Sequence, residues 1–302
     1  MKPYISAIII TWNRATYVRG AIQSVLDQTF SDFELLVLDN SSSDDTQNVV
    51  KRFSDKRIRY IRHEPLGISE ARNLGVREAR ADIFGFLDDD DTWLPEKLER
   101  QTELFQASSP RVGMIYGGFH RVNERGVVYE TFVPTLRGWG LEEYLCKRDP
   151  WPGSASNPLI RKEVFKSVGG YDEYLRTSED WEFYLRLMRK FRIDFVPEPI
   201  LNVRRHAGVR LGDRLREAAE AELKVCEEFR DVLEKRPSCH SFYLQAIGGK
   251  FCRLGEFEKG RSYLRRAITL SPMNYIAWAQ YLLSFLGVQA YGRIHRFYKQ
   301  WR

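Results

Sequence analysis

The feature that most constrains the fold of this chain is the regular alternation of apolar runs and amphipathic segments in residues 5–107. Continuous β-branched runs are typical of strands buried on both faces, and apolar residues at three-to-four-residue spacing are typical of helices. The predicted strands are 5–10, 33–38, 58–61 and 83–87, and the predicted helices are 15–27, 44–53, 69–79 and 95–107. Asp44 and Ser69 are the expected N-terminal caps of the second and third helices. This order predicts an α/β fold, a mostly parallel sheet with helices on both faces.

Polar clusters follow three of the predicted strands, at Thr11 to Arg14, Asp39 to Asp45 and Asp88 to Asp91. Because ligands of open parallel sheets bind outside the carboxyl ends of the strands, we expect the three clusters to converge on one crevice. Four consecutive aspartates repel one another unless a cation compensates them. Hard cations such as Mg²⁺ or Mn²⁺ bind carboxylates together with substrate phosphates. The run therefore predicts a metal–diphosphate site, and the alternative interpretation is a solvated acidic turn.

The composition changes near residue 210, which predicts two domains, 1–210 and 211–302. Residues 214–233 are rich in Glu, Ala, Arg and Leu and predict a long helix. Residues 244–274 have Gly, Phe, Leu, Ala and Pro at the spacing of a 34-residue helix-turn-helix repeat. They resemble one tetratricopeptide repeat, with departures at Leu244 and Gly260. The alternative is a helical hairpin that has no peptide-binding role.

Charge is distributed unevenly. Residues 1–210 carry 31 basic and 31 acidic side chains, whereas residues 211–302 carry 16 basic and 10 acidic ones. No acid follows Glu258, against eight Lys or Arg. The basic tail is either a solvated face or a surface for an anionic partner. Because Trp278, Tyr281 and Phe285 precede it, one hypothesis is peripheral contact with a membrane, and packing within the helical domain is the alternative. We expect no nucleic-acid partner.

The cellular location of the protein is predicted from its cysteines and its apolar segments. Cysteines 146, 226, 239 and 252 form no CxxC pair and have no histidine at zinc-ligand spacing, which favours reduced thiols. The N-terminal apolar run is too short for a signal peptide, and the uncharged stretch 267–292 is too interrupted to span a bilayer. We therefore expect a cytoplasmic protein, with peripheral attachment at the inner face of the membrane as an extension of this hypothesis.

Several motifs, in the same order, resemble those of family 2 glycosyltransferases, which have the GT-A fold and use nucleotide-sugars. The motifs are the N-terminal run from ISAIIITWNR to LVLDNSSSDDT, then GISEARNLG at 67–75, and FLDDDDTWLPEKL at 86–98. The resemblance covers about residues 4–210. It is specific for the family and uninformative about the sugar.

The resemblance assigns roles to the aspartates. It implies that Asp90 is a direct ligand of Mn²⁺ or Mg²⁺, that Asp88 lies near the ribose or the waters of the metal, and that Asp91 has a supporting role. Asp89 is counted with Asp88 and Asp90 among the residues of the nucleotide-sugar site, but it occupies a variable position that we expect to tolerate replacement. Asp39 aligns with the acid that reads the nucleotide base.

Four further positions complete the implied nucleotide-sugar pocket. Thr11, Asn13 and Arg14 line it, and Arg72 contacts the base or a phosphate. The alternative for Arg72 is an ordinary arginine on a helix surface.

Two later segments supply the remaining roles. In SEDWEFYLRL, residues 178–187, the resemblance assigns the catalytic base to Asp180 and counts the adjacent Glu179 as catalytic with it. The alternative is a helix start capped by Ser178. In VRRHAGVRLG, residues 203–212, His206 matches a histidine that completes the metal shell or touches the diphosphate, and the alternative is a structural histidine. Arg204, in the same segment, is expected to hold phosphates. The small side chains of residues 153–156 are expected to let a sugar approach the backbone closely.

The function implied by the resemblance is an inverting glycosyl transfer. The donor is a nucleotide-diphosphate sugar, with UDP favoured, and the acceptor is a hydroxyl of a glycan or a lipid-linked molecule. A catalytically inactive GT-A protein that recruits partners through the helical tail is the alternative. A nucleotidyltransferase fits less well, because TWNRATY has no glycine-rich phosphate loop.

Overall fold

The protein is described by a computed structural model that covers residues 2–147, 152–205, 214–287 and 291. The chain divides into two compact units. The first, which we call the sheet unit, contains residues 1–144, 148–174 and 179–208, and the second, the helical unit, contains residues 145–147, 175–178 and 209–302. The sequence placed residues 145–147 and 175–178 in the first domain, whereas the structure groups them with the helical unit.

The sheet unit contains the strands that the structure describes. These are β1 (Ile5–Thr11), β2 (Phe33–Asp39), β3 (Ile58–Arg62), β4 (Ile83–Asp88), β5 (Thr92–Trp93), β6 (Val112–Val122), β7 (Val128–Phe132), β8 (Leu159–Arg161) and β9 (Arg192–Arg204). They form one sheet in the order β3-β2-β1-β4-β8-β6-β9-β5, with β7 beside β6.

The first four strands form the parallel part of the sheet, as the sequence predicts. The remaining strands make the sheet mixed, because β8 is antiparallel to β4 and to β6, while β6 and β9 are parallel. The register pairs Thr11 with Asp39 and Ile10 with Asp88. The carboxyl ends of β1, β2 and β4 therefore lie side by side, and they carry the three polar clusters.

Helices connect these strands and build the helical unit. In the sheet unit they are α1 (Ala15–Leu26), α2 (Thr46–Lys51), α3 (Ile68–Glu78), α4 (Lys97–Ala107), α5 (Leu141–Lys147, which extends into the helical unit), α6 (Lys162–Ser167) and α7 (Glu179–Lys190). In the helical unit they are α8 (Leu215–Glu228), α9 (Arg230–Leu233), α10 (Pro237–Arg253), α11 (Phe257–Leu270) and α12 (Tyr275–Leu283).

The start of α3 differs from the sequence expectation, which gave the capping role to Ser69. Gly67 is the N-cap, and the Glu70 carboxylate accepts a hydrogen bond from the Gly67 backbone N–H at 2.7 Å. Further along α3, Gly75 lies against the sheet, where an added Cβ would come within 2.9 Å of Ile8 and Leu38 side-chain carbons. Only glycine allows α3 to approach β1 and β2 so closely.

The aromatic part of the core supports α7. Phe183, on its buried face, lies with its ring centroid 4.6 Å from Tyr171 and 5.4 Å from Phe165. Phe165 in turn meets Phe84 of β4 edge to face at 5.3 Å. This packing fixes the first turn of α7, which carries Glu179 and Asp180, within the core of the sheet unit.

The helical unit contains the hairpin α10–α11 that the repeat pattern predicts. At Gly260, where the pattern usually has alanine, a Cβ would lie 2.4 Å from the Cys252 sulfur and 2.9 Å from the Gly248 carbonyl oxygen. The departure from the repeat is therefore explained by the close approach of α10 and α11. The long helix predicted over 214–233 is interrupted at Phe229, between α8 and α9.

A disulfide joins Cys146 to Cys239 within the helical unit. The expectation of four reduced thiols is therefore wrong for Cys146 and Cys239. Because these two cysteines lie 93 residues apart in sequence, the sequence pattern does not reveal that they are neighbours. Cys226 and Cys252 are buried thiols outside this disulfide. Since the reduced-thiol argument fails for this pair, it lends no support to the predicted cytoplasmic location.

Candidate functional site

The acidic loop begins at the end of β4 and carries four carboxylates, of which Asp89 and Asp91 are buried and Asp88 and Asp90 are partly exposed. Burial raises the pKa of Asp88, Asp89 and Asp91, and mutual repulsion raises it further. The pKa of Asp89 reaches about 7. The protein thus concentrates carboxylates whose negative charge is poorly compensated by its own cations.

The polar cluster after β1 contacts this loop directly. The Thr11 hydroxyl donates a hydrogen bond to Asp89 at 2.7 Å, and the Arg14 guanidinium lies 3.4 Å from an Asp90 carboxylate oxygen. Thr11 and Asp89 are both buried. The predicted convergence of these clusters is confirmed. The buried contact of Asp89 with Thr11 argues against the expectation that Asp89 tolerates replacement.

The turn after β1 is joined to the cluster after β2. Asn13 adopts a left-handed conformation with φ of 52°, which asparagine tolerates better than most residues. Its side-chain oxygen accepts a hydrogen bond from the Ser43 backbone N–H at 2.7 Å, and its own N–H donates to the Ser42 hydroxyl at 2.9 Å. Asp44, expected to cap α2, accepts hydrogen bonds from the backbone N–H groups of Ala15 and Thr46, each at 3.0 Å.

Asp39 ends β2 and is completely buried. One carboxylate oxygen accepts the backbone N–H of Ser42 at 2.7 Å, and the other accepts the hydroxyl of Tyr60. Burial, followed by this contact with Asp39, raises the pKa of Tyr60 to about 12. The structure places Asp39 beside the crevice, and its role in reading a nucleotide base stays a prediction.

Arg72 connects the acidic loop with α7. One guanidinium nitrogen forms an ion pair with Glu179, and another lies 3.3 Å from an Asp88 oxygen. The side chain also packs over the rings of Phe86 and Tyr171. Only 5% of Arg72 is exposed, so the alternative of a helix-surface arginine is wrong. This contact joins two acidic segments that lie about ninety residues apart in sequence.

Asp180, the predicted base, follows Glu179 in the first turn of α7. Its carboxylate accepts a hydrogen bond from the Trp181 backbone N–H at 2.7 Å. Burial raises its pKa, the neighbouring Glu179 raises it further and Arg72 opposes the rise, with a result of about 6. A carboxylate with this pKa is ionised at neutral pH and more basic than an exposed aspartate, which suits a general base.

Asp91 is held by residues that the sequence did not assign to the site. Ser156 donates a hydrogen bond to it at 2.6 Å, and the Arg204 backbone N–H donates another at 2.9 Å. Ser154 reaches both Asp91, at 3.3 Å, and Asp88, at 3.4 Å. The small-residue stretch 153–156 was the available signal, although it was interpreted as room for a sugar.

Arg204 was expected to hold phosphates. In the structure its Nε donates to the Asp90 backbone carbonyl at 3.1 Å, and its Nη1 donates to the carbonyls of Asn123 and Glu124. It therefore braces the acidic loop. His206 lies outside the described residues, so its predicted role is not addressed by the structure. Among the residues that the structure does describe, no three His, Cys, Asp or Glu side chains form a preassembled metal site.

Fold and site together define an α/β protein with its polar site at the carboxyl ends of parallel strands and an acidic loop at the centre. The chain belongs to glycosyl transferase family 2, whose family profile matches residues 6–169.

Two curated relatives illustrate the sequence similarity. An uncharacterized glycosyltransferase of Rickettsia felis is 29% identical over 211 residues, which cover 68% of this chain and 35% of that protein. The Escherichia coli protein WfgD, a UDP-Glc:α-D-GlcNAc-diphosphoundecaprenol β-1,3-glucosyltransferase, is 35% identical over 136 residues, which cover 44% of this chain and 53% of WfgD. The chain thus spans about a third to a half of these two relatives.

Two solved structures show the same fold. Staphylococcus aureus TarS 1–349 in complex with UDP-GlcNAc has a TM-score of 0.63 and 16% identity, and the match covers 89% of this chain and 90% of that one. The Pyrobaculum calidifontis mannosyltransferase PcManGT, in complex with GDP-Man and Mn²⁺, has a TM-score of 0.58 and 15% identity, with 92% and 79% covered. The predicted GT-A type of α/β fold is confirmed.

Proposed function

We propose that this protein transfers a sugar, with inversion, from a nucleotide-diphosphate donor to an acceptor hydroxyl. The observation that carries the proposal is the bridge made by Arg72, which holds the first turn of α7 and the acidic loop in one site. A transferase of this kind needs a base for the acceptor and a separate site for the leaving diphosphate. The two acidic segments meet both requirements.

Asp180 is the proposed base. With a pKa of about 6, it accepts the proton of the acceptor hydroxyl as that oxygen attacks the anomeric carbon. Glu179 is buried and paired with Arg72, so we assign it a positioning role instead of the catalytic role that the sequence gave it. Its negative charge also keeps Asp180 more basic.

A divalent cation fits the acidic loop. Carboxylate oxygens are the ligands that Mg²⁺ and Mn²⁺ prefer, and a cation that also binds substrate phosphates needs only one or two of them. Asp90 and Asp88 are the proposed ligands, since their side chains are partly exposed, whereas those of Asp89 and Asp91 are buried. When bound, Mn²⁺ or Mg²⁺ would neutralise the negative charge of the diphosphate. Arg14, beside Asp90, is positioned to contact the same phosphates.

The donor and acceptor classes are proposed from the relatives. TarS was solved with UDP-GlcNAc, and WfgD is named for a UDP-glucose donor and a lipid-diphosphate acceptor. We therefore favour a UDP-sugar donor and an acceptor that is a glycan or a lipid-linked saccharide. Such a reaction belongs to the assembly of a polysaccharide or a glycolipid. The predicted cytoplasmic location, peripheral to the membrane, is part of this proposal.

The test combines donor binding with turnover. UDP-, GDP- and dTDP-sugars are screened with Mn²⁺ by thermal shift, and the donor that stabilises the protein is then assayed for transfer to lipid-linked and free saccharide acceptors. We expect Asp180→Asn to abolish transfer and to leave donor affinity within about twofold, because the base acts only on the acceptor. Donor binding without transfer by the parent protein would favour the inactive scaffold, and full activity of Asp180→Asn would refute the base assignment.

A further inference from the structure

The first turn of α4 contains a completely buried lysine, Lys97. Within the described part of the chain its amine faces no carboxylate, and burial lowers its pKa well below the usual range of lysine. Its Nζ donates hydrogen bonds to the Asn157 backbone carbonyl, at 2.6 Å, and to the Gln101 side-chain oxygen, and it lies 4.7 Å from the centroid of the Trp93 ring. Burying an amine away from water costs folding free energy, so a lysine here is explained by what its hydrogen bonds hold in place.

The Asn157 carbonyl belongs to a stretch of four residues, 154–157, which we call the SASN segment. The chain that follows the acidic loop holds its backbone. Lys97 binds the Asn157 carbonyl, and the Trp93 indole N–H donates to the Ser156 carbonyl at 2.8 Å. The Asn157 side chain is fixed as well, by two hydrogen bonds of 2.8 Å to the backbone of β6. Since Ser156 and Asn157 are completely buried, these contacts fix the segment within the core of the sheet unit.

The serine hydroxyls of the SASN segment contact the acidic loop. Ser156 donates a hydrogen bond to an Asp91 carboxylate oxygen at 2.6 Å and accepts one from the Asp88 backbone N–H at 3.0 Å. The Ser154 hydroxyl lies 3.4 Å from an Asp88 carboxylate oxygen. The segment therefore contacts Asp88 twice, once at its backbone and once at the side chain that is a proposed metal ligand.

These contacts form a closed path through the sheet unit. The chain runs from Asp88 past Trp93 to Lys97, and hydrogen bonds lead from Lys97 through the SASN segment back to Asp88. The position of Asp88 thus depends on where the Asn157 carbonyl is held. Because Mg²⁺ accepts oxygen ligands only near about 2.0–2.1 Å, a small shift of the Asp88 carboxylate is enough to weaken such a site.

We propose that Lys97 is a positioning residue for the metal–diphosphate site. It fixes the Asn157 carbonyl, and the SASN segment transmits this constraint to Asp88. Because Lys97 is inaccessible, it acts through the segment and not by contact with a substrate. The inference rests on the proposed function, since it concerns the site that would hold the diphosphate and its cation.

The test begins with Lys97→Met, which keeps the length of the side chain but donates no hydrogen bond. The Asn157 carbonyl retains one donor, the Gln101 side-chain amide at 3.2 Å. The Gln101 oxygen loses its donor, whereas the cost of burying an amine disappears, so the two effects oppose each other. We therefore expect a melting temperature within about 4 °C of the parent.

The decisive measurement is the affinity for Mn²⁺, taken from an electron paramagnetic resonance titration in the presence of UDP. We expect Lys97→Met to lower this affinity about tenfold, as loss of a residue that orients a metal ligand does. The matched control is Lys162→Met. Lys162 also donates to a backbone carbonyl, that of Ala79 at 2.5 Å, but it lies beside Asp82, at the end of β4 opposite to the acidic loop. The control is expected to bind Mn²⁺ as the parent does.

A double-mutant cycle with Ser156→Ala tests the route. Ser156→Ala alone is expected to lower the Mn²⁺ affinity by a similar factor. Adding Lys97→Met is expected to cause little further loss, because both residues act on Asp88 through one segment. Unchanged Mn²⁺ affinity in Lys97→Met, or losses that multiply in the double variant, would overturn the proposal. So would a melting temperature of Lys97→Met far below that of the parent, since Lys97 would then be a structural residue. If the parent bound Mn²⁺ with none of UDP, GDP and dTDP, the proposed function would be refuted together with this inference.

Discussion

Replacing Glu179 with glutamine tests whether the protein sets the basicity of Asp180 electrostatically. Three causes act on the Asp180 pKa: burial raises it, Glu179 raises it further and Arg72 lowers it. Glutamine retains the shape of glutamate and an oxygen that accepts a hydrogen bond from Arg72, but it removes the negative charge. The pKa of Asp180 is therefore expected to fall, and the acidic limb of the pH–rate profile is expected to move to lower pH.

The magnitude follows from the pKa of about 6 in the parent protein. With this value about a tenth of Asp180 is ionised at a pH of about 5, against about nine-tenths at a pH of about 7, so kcat/KM falls about tenfold between them. The Glu179→Gln variant is expected to keep several times more of its neutral-pH activity at the lower pH.

The assay is release of nucleoside diphosphate, with kcat/KM measured across this pH range at saturating Mn²⁺. Glu182→Gln is the matched control, because Glu182 is a second buried acid of α7 that is paired with an arginine, Arg186. We expect the acidic limb of the Glu182→Gln variant to lie at the same pH as that of the parent protein. Varying the Mn²⁺ concentration separates Asp180 from Asp88, since a limb that arises from metal-binding carboxylates moves as protons and metal compete. The assignment of Asp180 would be refuted if the acidic limb of the pH–rate profile stayed at the same pH in Glu179→Gln, or if it shifted with the Mn²⁺ concentration.

Three further predictions address the metal, the packing and the disulfide. Asp90→Asn is expected to weaken Mn²⁺-dependent donor binding by about tenfold or more in calorimetry, and EDTA-resistant turnover of the parent would contradict a metal role. Gly75→Ala is expected to lower the free energy of unfolding by about 1–3 kcal/mol through overpacking, whereas Gly20→Ala in α1, where a Cβ meets nothing within 4 Å, is expected to raise it by about 0.5–1 kcal/mol. Cys146→Ala is expected to lower it by about 2–4 kcal/mol in denaturant titrations, and dithiothreitol should destabilise the parent but leave this variant unchanged.

Much of the sheet was predictable because its strands have a strong sequence pattern. The runs ending at Thr11, Asp39 and Asp88 are mostly apolar, which is typical of strands covered on both faces. Parallel order then fixed where their polar ends meet. The antiparallel strands β5 and β8 were not predicted, because two or three residues carry no periodicity.

The residues of the site were predictable where a sequence motif or the strand order fixes both the residue type and its position. The acidic loop and Asp180 follow from motifs, and the contacts of Thr11 and Arg14 with the loop follow from the strand order. The roles of Ser154 and Ser156 did not follow, because serine is common in loops and only the fold brings these hydroxyls to Asp91 and Asp88. The burial of Arg72 was likewise invisible in a helix that is otherwise amphipathic.

The sequence by itself determined the α/β architecture, the family and the identity of the acids, since all three depend on local patterns and ordered motifs. Only the tertiary structure decided how these acids differ from one another. Asp88 meets Arg72, Asp89 meets Thr11, and Asp91 meets Ser156. The physical reason is that burial and paired charge set the pKa of a carboxylate, and both depend on side chains that are distant in sequence.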